Sequence, residues 1–217
     1  MDPPRILFQD QRFVVLDKPA GLPVHAGPSG GPNVEDWFPL LSRRKDGPWL
    51  AHRLDADTAG CLVIALRRAA LLAAQSAFAS GTVRKTYWAV VAGHVAGDQG
   101  TITAPLRRIT GPGGWRMVVD ERAGQPAITD WQVRGRTTDT TWLELHPRTG
   151  RTHQIRVHCA TIGTPILGDP RYGTAGGGLH LLARAIHLPL DPPLDATAEP
   201  PPHMRATLER FPHASPL

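Results

Sequence analysis

Apolar residues in this chain come in short runs cut by glycine, proline and charge, and few stretches keep a helical period. Residues 5–9 and 13–16 are two such runs around the polar Asp10-Gln11-Arg12, a pattern that predicts a two-strand hairpin. The segment 18–23 (Lys-Pro-Ala-Gly-Leu-Pro) is punctuated as a loop, and 28–32 as a Gly/Pro-rich surface stretch. Asn33 can cap a short helix that carries Trp37 and Phe38 and ends before Pro39. Residues 62–66 form an unbroken apolar run and predict a buried strand; the Ala/Leu-rich 69–78 predicts a helix that stops near Gly81. A strand is expected over 83–91, where β-branched and aromatic residues concentrate.

Residues 93–122 hold six glycines and read as hairpins and exposed loops. Two further strands are predicted at 127–133 and 140–145, with Gly135 in the turn between them. Thr152 opens a helix in which Ile155, Cys159 and Ile162 share a face, with Gly163 ending it and Pro165 blocking its continuation. A last strand spans 179–188, and the proline-rich tail 189–217 reads as mostly extended. Strands outnumber helices, neighbours are hairpin-linked, and strand and helix do not alternate steadily. The expected class is therefore α+β, a mostly antiparallel mixed central sheet flanked by helices and loops.

Length changes little in this picture: 217 residues suit one domain, with a core over about 5–188. No apolar run reaches the roughly 18 residues of a membrane span. Met1-Asp2-Pro3-Pro4 lacks the basic start and apolar stretch of a signal peptide, so a cytoplasmic location is expected. The net charge of +5 fits a polyanionic partner, though by charge alone an ordinary basic enzyme fits equally well. Cys61 and Cys159 stand alone among apolar residues, as buried thiols do.

Three polar clusters stand out. His52-Arg53-Leu54-Asp55-Ala56-Asp57-Thr58-Ala59-Gly60 precedes the buried strand, where a rigid scaffold presents reactive groups; an ordinary capped turn has the same composition. Arg148-Thr149-Gly150-Arg151-Thr152-His153-Gln154-Ile155-Arg156-Val157-His158 spans a loop and a helix start, where backbone donors and arginines favour an anion. His153 and His158 are five apart, which suits a zinc pair poorly. Arg84-Lys85-Thr86-Tyr87-Trp88 lies on a strand whose alternation puts Lys85 and Tyr87 on one face.

Taken in order, these motifs resemble one family. The opening residues 6–10 and 13–25, the loop 52–60, the Lys85-Thr86-Tyr87 strand and the run 150–158 with 163–173 are similar to the signatures of the RNA pseudouridine synthases, of the ribosomal-large-subunit type. The likeness covers residues 5–188. It departs in two places: Thr58-Ala59-Gly60 stands where the family often has Thr-Ser-Gly. The closing strand reads Leu181-Leu182-Ala183-Arg184-Ala185, with His180 before it, where a leucine run ended by His-Ala is usual.

The resemblance implies isomerisation of uridine to pseudouridine in ribosomal or transfer RNA, without cofactor or metal. It implies Asp55 as nucleophile, Arg151 as the cation that keeps it ionised, and Tyr87 as general acid/base at carbon-5. Arg53 matches the residue that braces the space left by an extruded base. His52, Lys85, His153 and Arg156 are further expected RNA contacts. A monomer without an additional N-terminal RNA-binding domain is expected. The competing readings are an inactive RNA-binding protein on the same fold and a His/Asp hydrolase; the absence of H-E-x-x-H disfavours the zinc form of the latter.

Overall fold

The computed structural model describes residues 5–27, 30–112 and 114–211. The expectations for Met1 to Pro4, for the start of the 28–32 stretch and for the end of the tail fall outside those residues. The strands are β1 (Ile6–Gln9), β2 (Phe13–Lys18), β3 (Trp49–Leu50), β4 (Ala59–Ala65), β5 (Arg84–Ala92), β6 (Gln99–Thr103), β7 (Leu106–Gly111), β8 (Gly114–Val119), β9 (Ile128–Arg136), β10 (Thr140–Pro147), β11 (Leu181–Leu188) and β12 (Leu194–Thr197). The helices are α1 (Phe38–Leu41), α2 (Arg68–Ala79), α3 (Gln154–Thr161) and α4 (Pro202–Leu208), with a 3-10 turn at Val34–Trp37. The class is α+β with predominantly antiparallel strands, as the patterning predicted. No helix among the described residues is long and apolar enough to cross a membrane.

The described residues form two compact units, one within 5–85 and 182–200, the other within 86–181 and 201–211. In the first, the strand order is β1-β2-β4-β11, with β3 on β4 and β12 on β11. Every residue of β4 is buried, which explains its unbroken apolar sequence. One edge of β4 is covered along its length by β2, from Phe13 opposite Ala65 to Lys18 opposite Gly60. Its other edge is shared. β3 pairs with Ile64 and Ala65, whereas β11 runs parallel beside Ala59 and Gly60. The segment between β3 and β4 must leave this edge where the two partners part, and that segment is the polar loop 52–58.

In the second unit the order is β5-β10-β9-β6, all antiparallel, and β7 and β8 form a separate hairpin. Ala89, Val91, Leu143 and Leu145 build a core against Ile155 and Cys159 of α3. The hairpin lays Leu106 and Met117 against Val157 of the same helix. Cys61 and Cys159 are buried free thiols.

Several sequence expectations change. β2 runs on through Lys18, which patterning placed in a loop, and β4 begins at Ala59, inside the polar motif. Pro39 does not end the short helix; it lies in the first turn of α1, where its missing N–H costs nothing. The 93–122 region holds three strands, and the hairpin reading made for it holds for β7 and β8. Gly135 lies in β9 opposite Trp142, not in a turn; a Cβ there would come within 3.0 Å of the Phe211 ring. Ile162 is 37% exposed and does not join the buried face of Ile155 and Cys159. The tail, read as extended, contains α4, which buries Met204 and Leu208.

Candidate active site

The loop 52–58 is fastened at both ends within the first unit. At its start, the Ala51 N–H donates to Val63 O (3.0 Å) and the Val63 N–H donates to His52 Nε2 (3.1 Å). The His52 ring packs 5.1 Å from Phe78 of α2. Burial, then the charge of Lys85, pushes this imidazole down to about 4, so it is neutral. Leu54 is buried, whereas Arg53 is exposed and Asp55 half-buried. The Thr58 N–H then donates to Asp55 O (3.1 Å), closing a turn over Ala56 and Asp57.

At the far end the fastening comes from a residue that sequence reasoning passed over. Lys18, fully buried at the end of β2, donates to Pro19 O (2.8 Å), Leu22 O (2.9 Å) and Ala56 O (2.8 Å). Gly21 N–H also donates to Ala56 O. All three ammonium donors are spent on carbonyls, so Lys18 acts on the carboxylates of Asp55 and Asp57 through its field. Burial pushes Lys18 down to about 8, and the charges of Asp55 and Asp57 oppose that fall. The signal was available: a lysine that closes the apolar run Phe13-Val14-Val15-Leu16 has to find partners inside.

Behind the loop, Gly60 has φ 110°, and a Cβ there would stand 2.3 Å from Ala183 O and 2.9 Å from Leu182 Cδ1. Only glycine permits β11 to approach so closely. Leu182 is thereby the leucine of the closing strand that borders the loop's exit. Lys85, half-buried where β5 begins, is pushed down by burial.

In the second unit Tyr87 lies half-buried on β5, opposite Leu145 of β10 and packed on the hydrophobic core. Arg151 is exposed, with Nε donating to Pro126 O (3.1 Å). Its loop is held by buried Gln154, whose Oε1 accepts from Thr149 Oγ1 and Arg151 N and whose Nε2 donates to Ile128 O and Thr129 Oγ1. The helix starts two residues later than Thr152 because His153 takes a left-handed φ of 52° and serves as the cap position. The His153 Nδ1 lies 2.8 Å from the Tyr172 hydroxyl, which itself accepts from Met117 N (3.1 Å). Burial, then Arg156 and Arg171, pushes His153 down to about 4.

Arg156, expected from the sequence to meet RNA, is 2% exposed and bonds both oxygens of buried Asp169 (2.8 and 2.7 Å). Burial alone would raise the Asp169 carboxyl. Arg156 and the N–H groups of Arg171 and Tyr172 outweigh it and hold the carboxyl below its usual range. His158 is likewise enclosed, between Thr129 Oγ1 and Ala104 O. The structure thus groups His52, Arg53, Asp55 and Lys85 in the first unit and Tyr87, Arg151, His153 and Arg156 in the second.

Comparison with known proteins agrees with the motifs. The profile of the family described as RNA pseudouridylate synthase matches residues 12–161. An RNA pseudouridine synthase of Zymomonas mobilis is 41% identical over 173 residues, 78% of each chain. The ribosomal large subunit pseudouridine synthase C of Buchnera aphidicola is 35% identical, over 78% of this chain but only 54% of its own length. The structure of human RNA pseudouridylate synthase domain containing 4 superposes with a TM-score of 0.80 at 30% identity, covering 94% of this chain and 92% of that one. With a match that spans more than half of its residues and a relative aligned over most of both lengths, the chain belongs to the RNA pseudouridylate synthase family.

Proposed function

We propose that the protein isomerises specific uridines of ribosomal or transfer RNA to pseudouridine, with Asp55 as nucleophile, as a ribosomal-large-subunit-type member of its family. The observation that carries this reading is the presentation of Asp55. It sits half-buried on a loop pinned at Ala51 and His52 and again at Ala56, in the field of a buried ammonium. A nucleophilic carboxylate has to be ionised and held in one orientation, and Lys18 serves both ends.

In the reaction the bond from the ribose anomeric carbon to N1 breaks, the base turns, and a bond to carbon-5 forms. Carbon-5 then loses its proton, and N1 gains one. Tyr87 is the group proposed to take the carbon-5 proton; its placement on a packed strand suits a fixed proton carrier. Arg151 is proposed as the cation that keeps Asp55 anionic; its exposed guanidinium is steadied by Pro126 O. Arg53, exposed two residues before Asp55, is proposed to brace the gap left by the extruded base. Lys85 is proposed as an RNA contact. His52, His153 and Arg156 have their polar groups engaged inside their own units and are proposed to act on RNA only through the residues they hold.

The test is tritium release from RNA labelled at carbon-5 of uridine. Asp55→Asn keeps the shape and removes the nucleophile, so release is expected to fall to background while RNA affinity stays within a few-fold. Substantial turnover by this variant would sink the assignment.

A further inference from the structure

Several arginines of the second unit are neutralised where they stand. Arg107 lies 2.7 Å from Asp120, Arg136 2.8 Å from Asp98 and Arg148 2.6 Å from Asp130. Arg108 and Arg171 are exposed and differ. Their guanidinium carbons lie 4.5 and 5.0 Å from the centre of one ring, that of Trp115. Arg171 donates from its side chain to the Trp115 carbonyl, and among the described residues neither guanidinium meets a carboxylate. The Arg108 guanidinium makes no hydrogen bond among them.

Trp115 is held firmly for this purpose. It pairs with Thr110 across the β7–β8 hairpin, whose inner face is anchored on α3 through Leu106 and Met117. The His153 ring packs 5.0 Å from it, and His153 is itself tied to Tyr172. Arg108 and Trp115 lie on the same face of the hairpin by strand alternation. Two cations that share one indole repel each other, and an anion between or beside them removes that repulsion. A guanidinium laid on a ring keeps its N–H edge directed outward, the edge that matches paired phosphate oxygens.

We propose that Arg108 and Arg171, braced on Trp115, form a clamp for phosphates of the RNA backbone. The inference rests on the function proposed above for its choice of RNA. The ring is already covered by two guanidiniums and an imidazole, so it offers no face on which a base can stack. Contact is with the backbone, and the clamp adds affinity and salt dependence without base specificity and without a part in bond-making.

The experiment is RNA affinity against salt concentration, read by anisotropy of a labelled stem-loop, alongside single-turnover tritium release at saturating RNA. Arg108→Gln breaks no hydrogen bond within the fold and carries the test even if Arg171→Gln perturbs the Trp115 carbonyl contact. Arg108→Gln is expected to lower the slope of log affinity on log salt by about 0.7–0.9, and the double variant by nearly twice that. Arg108→Lys should restore most of the slope. Arg122→Gln changes charge equally at the opposite end of the hairpin and should leave the slope unaltered. The saturated rate should remain within twofold in all of them. A slope for Arg108→Gln equal to that of Arg122→Gln overturns the clamp, as does a saturated rate that falls while the slope holds. Wild-type protein that binds RNA yet releases no tritium would end the pseudouridylation reading, while the slopes would still decide the clamp. Failure of the wild type to bind RNA would end both.

Discussion

Two buried cations in this protein are satisfied in opposite ways. Arg156 meets Asp169 face to face, two N–H groups on two oxygens, with both side chains almost wholly enclosed. Lys18 is as deeply buried, yet its three donors end on carbonyl oxygens, and the nearby carboxylates feel it only as a field. A closed ion pair holds chain segments together and leaves nothing over for a ligand. A cation capped by carbonyls orders a loop while its charge remains directed at the acids on that loop. The first arrangement serves the fold of the second unit, and the second serves the presentation of Asp55.

The sharpest way to break this contrast is to remove one partner from each arrangement. Arg156→Met strands a buried carboxylate, which costs about 3–5 kcal/mol. For a chain of this size that corresponds to a fall in Tm of roughly 10 °C. Removing Asp169 as well recovers only part of the loss, because its Oδ1 also accepts from the N–H groups of Arg171 and Tyr172. A Tm within 2 °C of wild type, to put a rough bound on it, would mean that the pair contributes little.

Lys18→Met should do the reverse, with a smaller change in Tm and a clear loss of rate. The loop loses the three hydrogen bonds that pin it, and a misplacement of Asp55 that costs about 1.4 kcal/mol in the transition state lowers turnover about tenfold, while loss of the positive field moves the acid limb of the pH–rate profile upward. Full activity with a collapsed Tm would place Lys18 with Arg156 as a purely structural cation.

The same lysine gives a pH test in the wild type. Lys18 loses its proton through about pH 8 in the folded protein, whereas its ordinary value is 10.5. Between those values the unfolded chain binds more protons, so this group's contribution to stability rises with pH in that window. Deprotonation of Lys18 does not by itself favour unfolding there. Single-turnover rates should fall a few-fold between about pH 7 and 9, because the neutral amine has only two N–H donors for the carbonyls of Pro19, Leu22 and Ala56 and loosens its hold on the Asp55 loop, and Lys18→Met should lack this step. A step that persists in the variant belongs to another group.

The smallest expected effect concerns Arg53, which the first unit turns outward while it holds the rest of the loop. Base extrusion costs a few kcal/mol, and least where the base is already unpaired. Arg53→Ala should slow single turnover severalfold on a structured stem-loop and much less on a short unstructured RNA. Equal losses on both would move Arg53 into the chemistry or into general phosphate contact.

The sequence by itself determined the α+β class, the buried β4, the α2 and α3 helices and the motifs that carry family membership. These rest on local period and on runs of residue types, which a chain displays without folding. Asp55 was prominent for the same reason, in a dense polar run before an apolar strand. Tertiary structure alone decided how the polar residues are employed. Lys18 looked like loop and became the loop's fastening. Arg156 and His153 looked like surface groups for RNA and proved to be engaged inside the second unit. Arg108 and Arg171, 63 positions apart in sequence, were indistinguishable from other basic residues until both were found over Trp115. Burial and hydrogen-bond partners depend on which distant segments the fold brings into contact, and no local pattern encodes that.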